Sequence, residues 1–227
     1  MYLTRDEEKA LSGSFGEALR KAMELLVALG EVFGAEKLID VVSSHVSGVS
    51  YRNIGDAGID LLADLVELGA KVRVRTTINP AGMDLDRWRE MGVPENFAEK
   101  QLRIAELFSK MGVKSTFTCT PYLAGNTPST GDHISWAESS AIVFANSILG
   151  AKTNRESGFS ALASALTGKT PLYGLHVDML REPRLHVKLE YKPDSVSDYS
   201  LVGYLIGINS DVEVISLNLE VSKTSLD

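Results

Sequence analysis

The chain has 227 residues, 44% of them hydrophobic and 23% charged, with a formal net charge of −7. This length allows one large domain or two small ones, and the composition is that of a globular protein able to bury its core without staples. The acidic balance without a long basic run argues against a nucleic-acid surface, a single cysteine excludes an internal disulfide, and no apolar run approaches the ~20 residues of a membrane span.

Met1 is followed closely by Arg5, Asp6 and Glu7, with no secretory leader visible, so the cytoplasm is the expected compartment. Residues 12–34 predict an amphipathic helix, with Ala18, Ala22, Leu25, Leu29 and Val32 at three- and four-residue spacing. Ser12 or Ser14 is its expected cap and Gly34 its expected end. Residues 38–47 (LIDVVSSHVS) read as one buried strand. A second helix is expected to start at Asp56 and to close at Gly69. Residues 70–78 (AKVRVRTTI) alternate as a strand does. A longer helix follows with Pro94 near its start. Residues 113–119 (VKSTFTC) read as the next strand and residues 136–150, almost wholly apolar, as a buried helix. A further helix (FSALASALTG) and a strand (RLHVKLEY) complete the series. The stretch 212–221 (VEVISLNLEV) is strand-like. Strand and helix alternating at this spacing predict an α/β fold, a mainly parallel sheet flanked by helices.

In such sheets ligands sit at the carboxyl ends of strands. Three loops fall there: SSHVSGVSYRNIGDAG, TTINPAGMD and TCTPYLAGNTPSTGDH. All three are rich in Ser, Thr, Asn, Gly and Asp, so together they predict a composite site. His45 and Ser47 end a strand and either cap backbone or face a substrate. Glu138 sits in an apolar stretch, where a carboxylate is paired, placed at the helix start, or functional. Asn154 and Arg155, in KTNRE, form a solvated connector or an anion clamp. Trp88 and Trp136 read as packing residues. Cys119 is open to three readings: a small buried hydrophobe, a nucleophile or a metal ligand. No histidine stands at a diagnostic spacing from it, and one thiol by itself does not make a cluster site. No phosphate-binding loop is present, because NTPSTGDH lacks the glycine spacing and the lysine of one.

The motifs HVSGVSYRNIGDAG, TTINPAGMD, CTPYLAGNTPSTGDHISWAESSAIVFANSILGAKTNRE and SALASALTGKTPLYGLH together resemble the catalytic subunit of the aconitase X family, over roughly residues 5–208. The resemblance implies an aconitase-like catalytic domain over 1–208, with 209–227 opening a further segment. It implies a hydro-lyase acting on a small hydroxy acid, with phosphomevalonate and cis-3-hydroxy-L-proline as the family's substrates. It also implies an iron–sulfur cluster, 4Fe-4S more readily than 2Fe-2S, with Cys119 as one metal ligand. Family catalytic subunits are longer and carry the other cysteines towards their C-termini, so this chain is expected to be a truncated piece, inactive alone. The proton-abstracting serine of aconitase-like enzymes lies on a swivelling domain, expected here as a separate small subunit. His45, Ser47 and Glu138 are the expected catalytic residues, and Asn126, Thr127, Asn154 and Arg155 the expected substrate contacts. A shortened, non-catalytic relative acting as a binding protein is the competing expectation.

Overall fold

The computed structural model describes residues 1–212 and 214–218. These divide into two compact units, residues 1–176 and a second unit from Val177 onward. The first unit runs α1 (Arg5–Leu11), α2 (Glu17–Val32), β1 (Leu38–Asp40), β2 (Ser43–Val46), α3 (Tyr51–Glu67), β3 (Arg75–Ile78), α4 (Glu95–Lys110), β4 (Ile134–Trp136), α5 (Ser139–Phe144), α6 (Gly158–Thr167) and β5 (Lys169–Pro171). The second contains β6 (Leu185–Val187), α7 (Val196–Asn209) and β7 (Ile215–Leu217). There β6 and β7 pair in parallel, and α7 carries through the point at 208/209 where a new segment was expected. Of the strand-like stretch 212–221, residue 213 and residues 219–221 lie outside the described residues. Among the described residues no helix is long and apolar enough to cross a membrane.

The first unit is an α/β fold around a small parallel sheet of order β3-β2-β4. His45 stands opposite Thr77 on one side and Trp136 on the other. Parallel bridges extend the layer at both edges: Thr77 with Lys114, and Trp136 with Arg155. Every strand end therefore faces the same edge, because parallel strands share direction. Side chains alternate across the sheet. Val46 and Ile78 enter the main core with Leu19, Met23 and Leu26 of α2, Leu62 of α3, Leu107 and Phe108 of α4, and Leu162 of α6. Ile134 and Trp136 enter a smaller core with Ala141, Ile142 and Ala145. Each of the large side chains contributes roughly 1.5–3 kcal/mol through removal from water.

The central strand is polar yet fully buried, which is tolerable only when its polar atoms are bonded. Ser44 Oγ lies 3.0 Å from the Ser135 carbonyl and 2.7 Å from that of Ala161. Trp136 Nε1 donates to Ser43 Oγ at 3.1 Å. The small residues of α6 let it lie close against β2, and it starts at the carboxyl edge. Ser157 caps it by accepting from the Ser160 amide.

Several expected boundaries are corrected. α1 is an additional helix, capped by Thr4, and Ser12 ends it rather than starting α2. Gly16 precedes α2 without a side-chain cap. The buried stripe of α2 runs through Ala18, Leu19, Ala22, Met23, Leu26 and Gly30, leaving Val32 exposed. The expected strand over 38–47 is two strands in different sheets: β1 pairs antiparallel with β5, and β2 joins the parallel sheet. α3 begins five residues earlier than expected, kinks at Gly55 (φ 57°), and Asp56 follows the kink rather than capping. Residues 113–119 meet the sheet through the Lys114 bridge and through Thr116 Oγ1, which donates to the Ile78 carbonyl and accepts from its amide, before Phe117 turns to φ 44°. The stretch from Trp136 is a short strand, then a helix, then a π-helical turn over Ala145–Leu149.

A Cβ added at Gly158 would stand 2.6 Å from the Ser47 carbonyl oxygen and 2.7 Å from Val49 Cγ1. Neither backbone nor a packed β-branched side chain yields cheaply, so Gly158→Ala is expected to destabilise the fold by about 1–3 kcal/mol. Urea unfolding followed by circular dichroism measures this, and an unchanged midpoint would show that α6 can move away freely.

Candidate active site at the carboxyl edge of the sheet

Three loops leave the carboxyl ends of β2, β3 and β4 at one edge, and each delivers one polar side chain to a common point. Ser47 follows β2, Asn79 follows β3, and Glu138 stands between β4 and α5. Ser47 Oγ donates to Glu138 Oε2 at 2.7 Å. Asn79 Nδ2 donates to the same oxygen, also at 2.7 Å. Glu138 precedes the first residue of α5 and makes no side-chain cap, so its carboxylate is turned across the strand ends instead. Charge-assisted bonds of this kind are the strong ones. One carboxylate oxygen thus locks a hydroxyl and an amide in place. The lone pairs of Oε1, the second Asn79 N–H and the Ser47 oxygen are left to meet a ligand.

His45 lies beneath this cluster, on the same strand face as Ser47 and wholly buried. Its Nδ1 is 2.8 Å from Thr77 Oγ1, and its ring meets Trp136 edge-on at 6.1 Å. Asn126 Nδ2 donates to Thr77 Oγ1 at 2.9 Å and to the Ser44 carbonyl at 3.0 Å. The Thr77 hydroxyl oxygen keeps a second lone pair, so the direction of its bond with His45 Nδ1 follows the tautomer of the ring. His45 Nε2 and Asn126 Oδ1 have no partner among the described residues. Burial pushes the imidazole down to about 4, against the opposing pull of the Glu138 charge.

The other expected site residues have different surroundings. Asn154 is almost fully buried, donates to the Tyr173 carbonyl at 3.0 Å and accepts from the Leu175 amide at 2.7 Å. Its amide therefore clamps the 173–175 turn. Thr127 is exposed, and its hydroxyl donates to the Tyr122 carbonyl at 2.8 Å. That bond closes a turn within the 119–132 loop, while Asn126 holds the loop against the sheet. Arg155 is exposed beside the end of β4, through its bridge to Trp136, and no ion pair holds its guanidinium among the described residues. The next residue, Glu156, is buried; its Oε2 accepts from Ser160 Oγ at 2.6 Å, and burial pushes its carboxyl up against that bond. Trp88 and Trp136 are buried packing residues, as expected.

Cys119 is exposed, so it is not the small buried hydrophobe that was one reading of it. Burial and the neighbouring Cys119 together push the Tyr122 phenol up. Among the described residues no three His, Cys, Asp or Glu side chains gather in a way that can hold a metal ion. The thiol is suited to be one ligand of a metal group but does not make a complete site. Sequence reasoning found Ser47 and Glu138 yet missed Asn79 and Thr77. Asn79 directly follows a strand in a loop already marked as polar, and that position was the available signal.

The structure is a parallel α/β sheet with polar side chains converging on its carboxyl edge, the place where α/β enzymes bind small molecules. Residues 1–179 match the family model described as aconitase X first domain, and the chain belongs to the aconitase X family. It is 56% identical over 212 residues to the phosphomevalonate dehydratase large subunit of Methanocaldococcus jannaschii, covering 91% of this chain and 53% of that protein. It is 40% identical over 210 residues to the cis-3-hydroxy-L-proline dehydratase of Pseudomonas aeruginosa, covering 92% of this chain and 36% of that one. The crystal structure of the holo form of Thermococcus kodakaraensis aconitase X superposes with a TM-score of 0.90 at 52% identity, over 99% of this chain and 56% of that one. The chain thus spans about half the length of the curated large subunit it matches.

The unfolded His45 imidazole titrates near 6.5 and the folded one at about 4. Between those values the unfolded chain binds the proton more readily, so folding stability falls as pH drops from 6.5 towards 4. Between pH 7 and pH 5 the protein is expected to lose about 2 kcal/mol more than its His45→Gln variant. Parallel urea titrations at the two pH values test this; equal losses would show that His45 is protonated in the folded state.

Proposed function

We propose that this chain forms the first part of the large subunit of a dehydratase converting (R)-5-phosphomevalonate to trans-anhydromevalonate 5-phosphate, a step of the mevalonate route to isoprenoids. The observation that carries a hydro-lyase reading is the convergence of Ser47, Asn79 and Glu138 on one edge of the sheet. The choice of substrate is supported by identity, 56% to a large subunit of that enzyme against 40% to a hydroxyproline dehydratase. Dehydration of cis-3-hydroxy-L-proline is the second reading and rests on the latter relative.

The reaction breaks a C–H bond beside a carboxylate and a C–O bond on the next carbon. The C–H electron pair becomes the double bond, and the oxygen leaves as water once it has gained a proton. In this reading Arg155 takes the substrate carboxylate through a bidentate pair. Ser47 and Asn79, fixed by Glu138, orient the hydroxyl-bearing carbon, and Oε1 of Glu138 accepts a hydrogen bond from the departing hydroxyl or its water. Such pre-set donors and acceptors need no rearrangement during reaction. The proton-abstracting group comes from a small swivelling-domain subunit. Cys119 supplies one thiolate to an iron–sulfur cluster, four-iron rather than two-iron, whose other ligands lie outside this chain. When bound, that cluster supplies a Lewis-acidic iron.

The test is turnover by the assembled large and small subunits on each substrate. Phosphomevalonate is expected to be dehydrated, and Glu138→Gln to lose about 10²-fold or more in kcat. Turnover of cis-3-hydroxy-L-proline alone would overturn the substrate assignment. Full activity of the Glu138→Gln enzyme would remove Glu138 from the machinery.

A further inference from the structure

The loops that deliver Ser47 and Asn79 continue directly into a second cavity, of about 420 Å³, lined by Tyr51, Arg52, Gly82, Pro94, Phe97 and Lys100 among others. Tyr51 and Arg52 open α3, Gly82 lies three residues beyond Asn79, and Pro94 and Phe97 start α4. Consecutive Cα atoms are about 3.8 Å apart, so the Gly82 Cα stands at most about 11 Å from that of Asn79. The cavity and the Glu138 cluster are therefore neighbours on the same edge of the same sheet.

Its walls are cationic and aromatic. The Arg52 guanidinium lies 5.9 Å from the centre of the Phe97 ring. No carboxylate pairs with it among the described residues, in contrast to Arg20, Arg87 and Arg103, which each hold a glutamate. Lys100 Nζ lies 4.9 Å from the Tyr51 ring centre and bonds Tyr51 Oη at 2.8 Å and Asp56 Oδ1 at 2.7 Å. Asp56 offsets much of the Lys100 charge, so the charge left without a counterpart is that of Arg52. The partial positive charge at the start of the 16-residue α4 is offset in part by Glu95 in its first turn. A guanidinium laid against a ring, with its N–H groups unspent, is suited to the oxygens of a phosphate.

We propose that this cavity holds the phosphate monoester end of the substrate, with Arg52 as its principal contact, while the carboxylate end lies at the Glu138 cluster. The proposal rests on the phosphorylated-substrate reading above and makes Arg52 the residue that holds the phosphate. Arg155 and Arg52 then divide the two anionic ends of one molecule between them.

The assembled enzyme tests this with two readouts. In steady-state kinetics, Arg52→Ala is expected to raise KM for phosphomevalonate at least tenfold with kcat changed less than threefold, and Arg52→Lys to recover part of the loss. In a titration with inorganic phosphate followed by calorimetry, Arg52→Ala is expected to weaken binding at least tenfold. Arg103→Ala, whose guanidinium is held by Glu106 away from the cavity, is expected to match the parent in both. Circular dichroism establishes that each variant is folded. An unchanged KM for phosphomevalonate in Arg52→Ala overturns the pocket and leaves the proposed function standing. Absence of any phosphomevalonate turnover in the parent, with hydroxyproline consumed, overturns the function instead. The pocket is then decided by the phosphate titration, where no parent binding, or equal binding by parent and Arg52→Ala, rejects it.

Discussion

A single carboxylate oxygen ties the functional edge of this protein together. Oε2 of Glu138 accepts from Ser47 and from Asn79, residues 91 and 59 positions away in the chain. The three side chains follow three adjacent parallel strands, so the bond pair exists only if the β3-β2-β4 order and its register are right. The polar groups of β2 impose the same demand from below. A strand carrying Ser43, Ser44 and His45 stays buried because Trp136, Ser135, Ala161 and Thr77 meet those groups at bonding distance. A shift of one residue would turn these groups into an apolar core and leave them unpaired, a cost large beside the marginal stability of any domain.

The parts legible in the sequence are those written in local periodicity. α4 and α6 follow from apolar spacing and end signals, and both lie close to where these place them. The parts that were not legible depend on partners distant in sequence. The stretch 38–47 reads as one strand, yet the Val41 amide bonds Gly168 and the Val42 amide bonds His133, so the chain changes sheets between two like residues. The strand Ile134–Trp136 is only three residues long and abuts a helix, which hides it in the longer apolar stretch. The chemistry was legible by position more than by type. Ser47 and Glu138 stand out as polar residues at strand ends, whereas Asn154, equally polar, turns its amide to backbone at Tyr173 and Leu175. Nothing local to Asn154 distinguishes clamp from contact.

The site also separates what this chain provides from what must come to it. Within the first unit the Ser47 hydroxyl, the Asn79 amide and the Glu138 carboxylate are already bonded to one another. Such preorganisation lowers the entropic cost of binding, since few side chains remain to be ordered. What is incomplete has the form of orphan groups: the Nε2 of His45, the Oδ1 of Asn126, and an exposed thiol at Cys119. They lie along the 119–132 loop and the strand beneath it.

Asn126 has a consequence for how this sequence can drift. Its Nδ2 donates to two acceptors, the Ser44 carbonyl and the Thr77 hydroxyl oxygen. Aspartate has almost the same size and shape, yet in its ionised form it would set oxygen against the Ser44 carbonyl oxygen and bury a charge without a counterion. The mildest replacement in volume is thus among the harshest in chemistry. Thr127, one bond further along and open to solvent, is held by a single bond to backbone and can vary far more freely. Two adjacent letters of the same loop therefore live under opposite rules of inheritance.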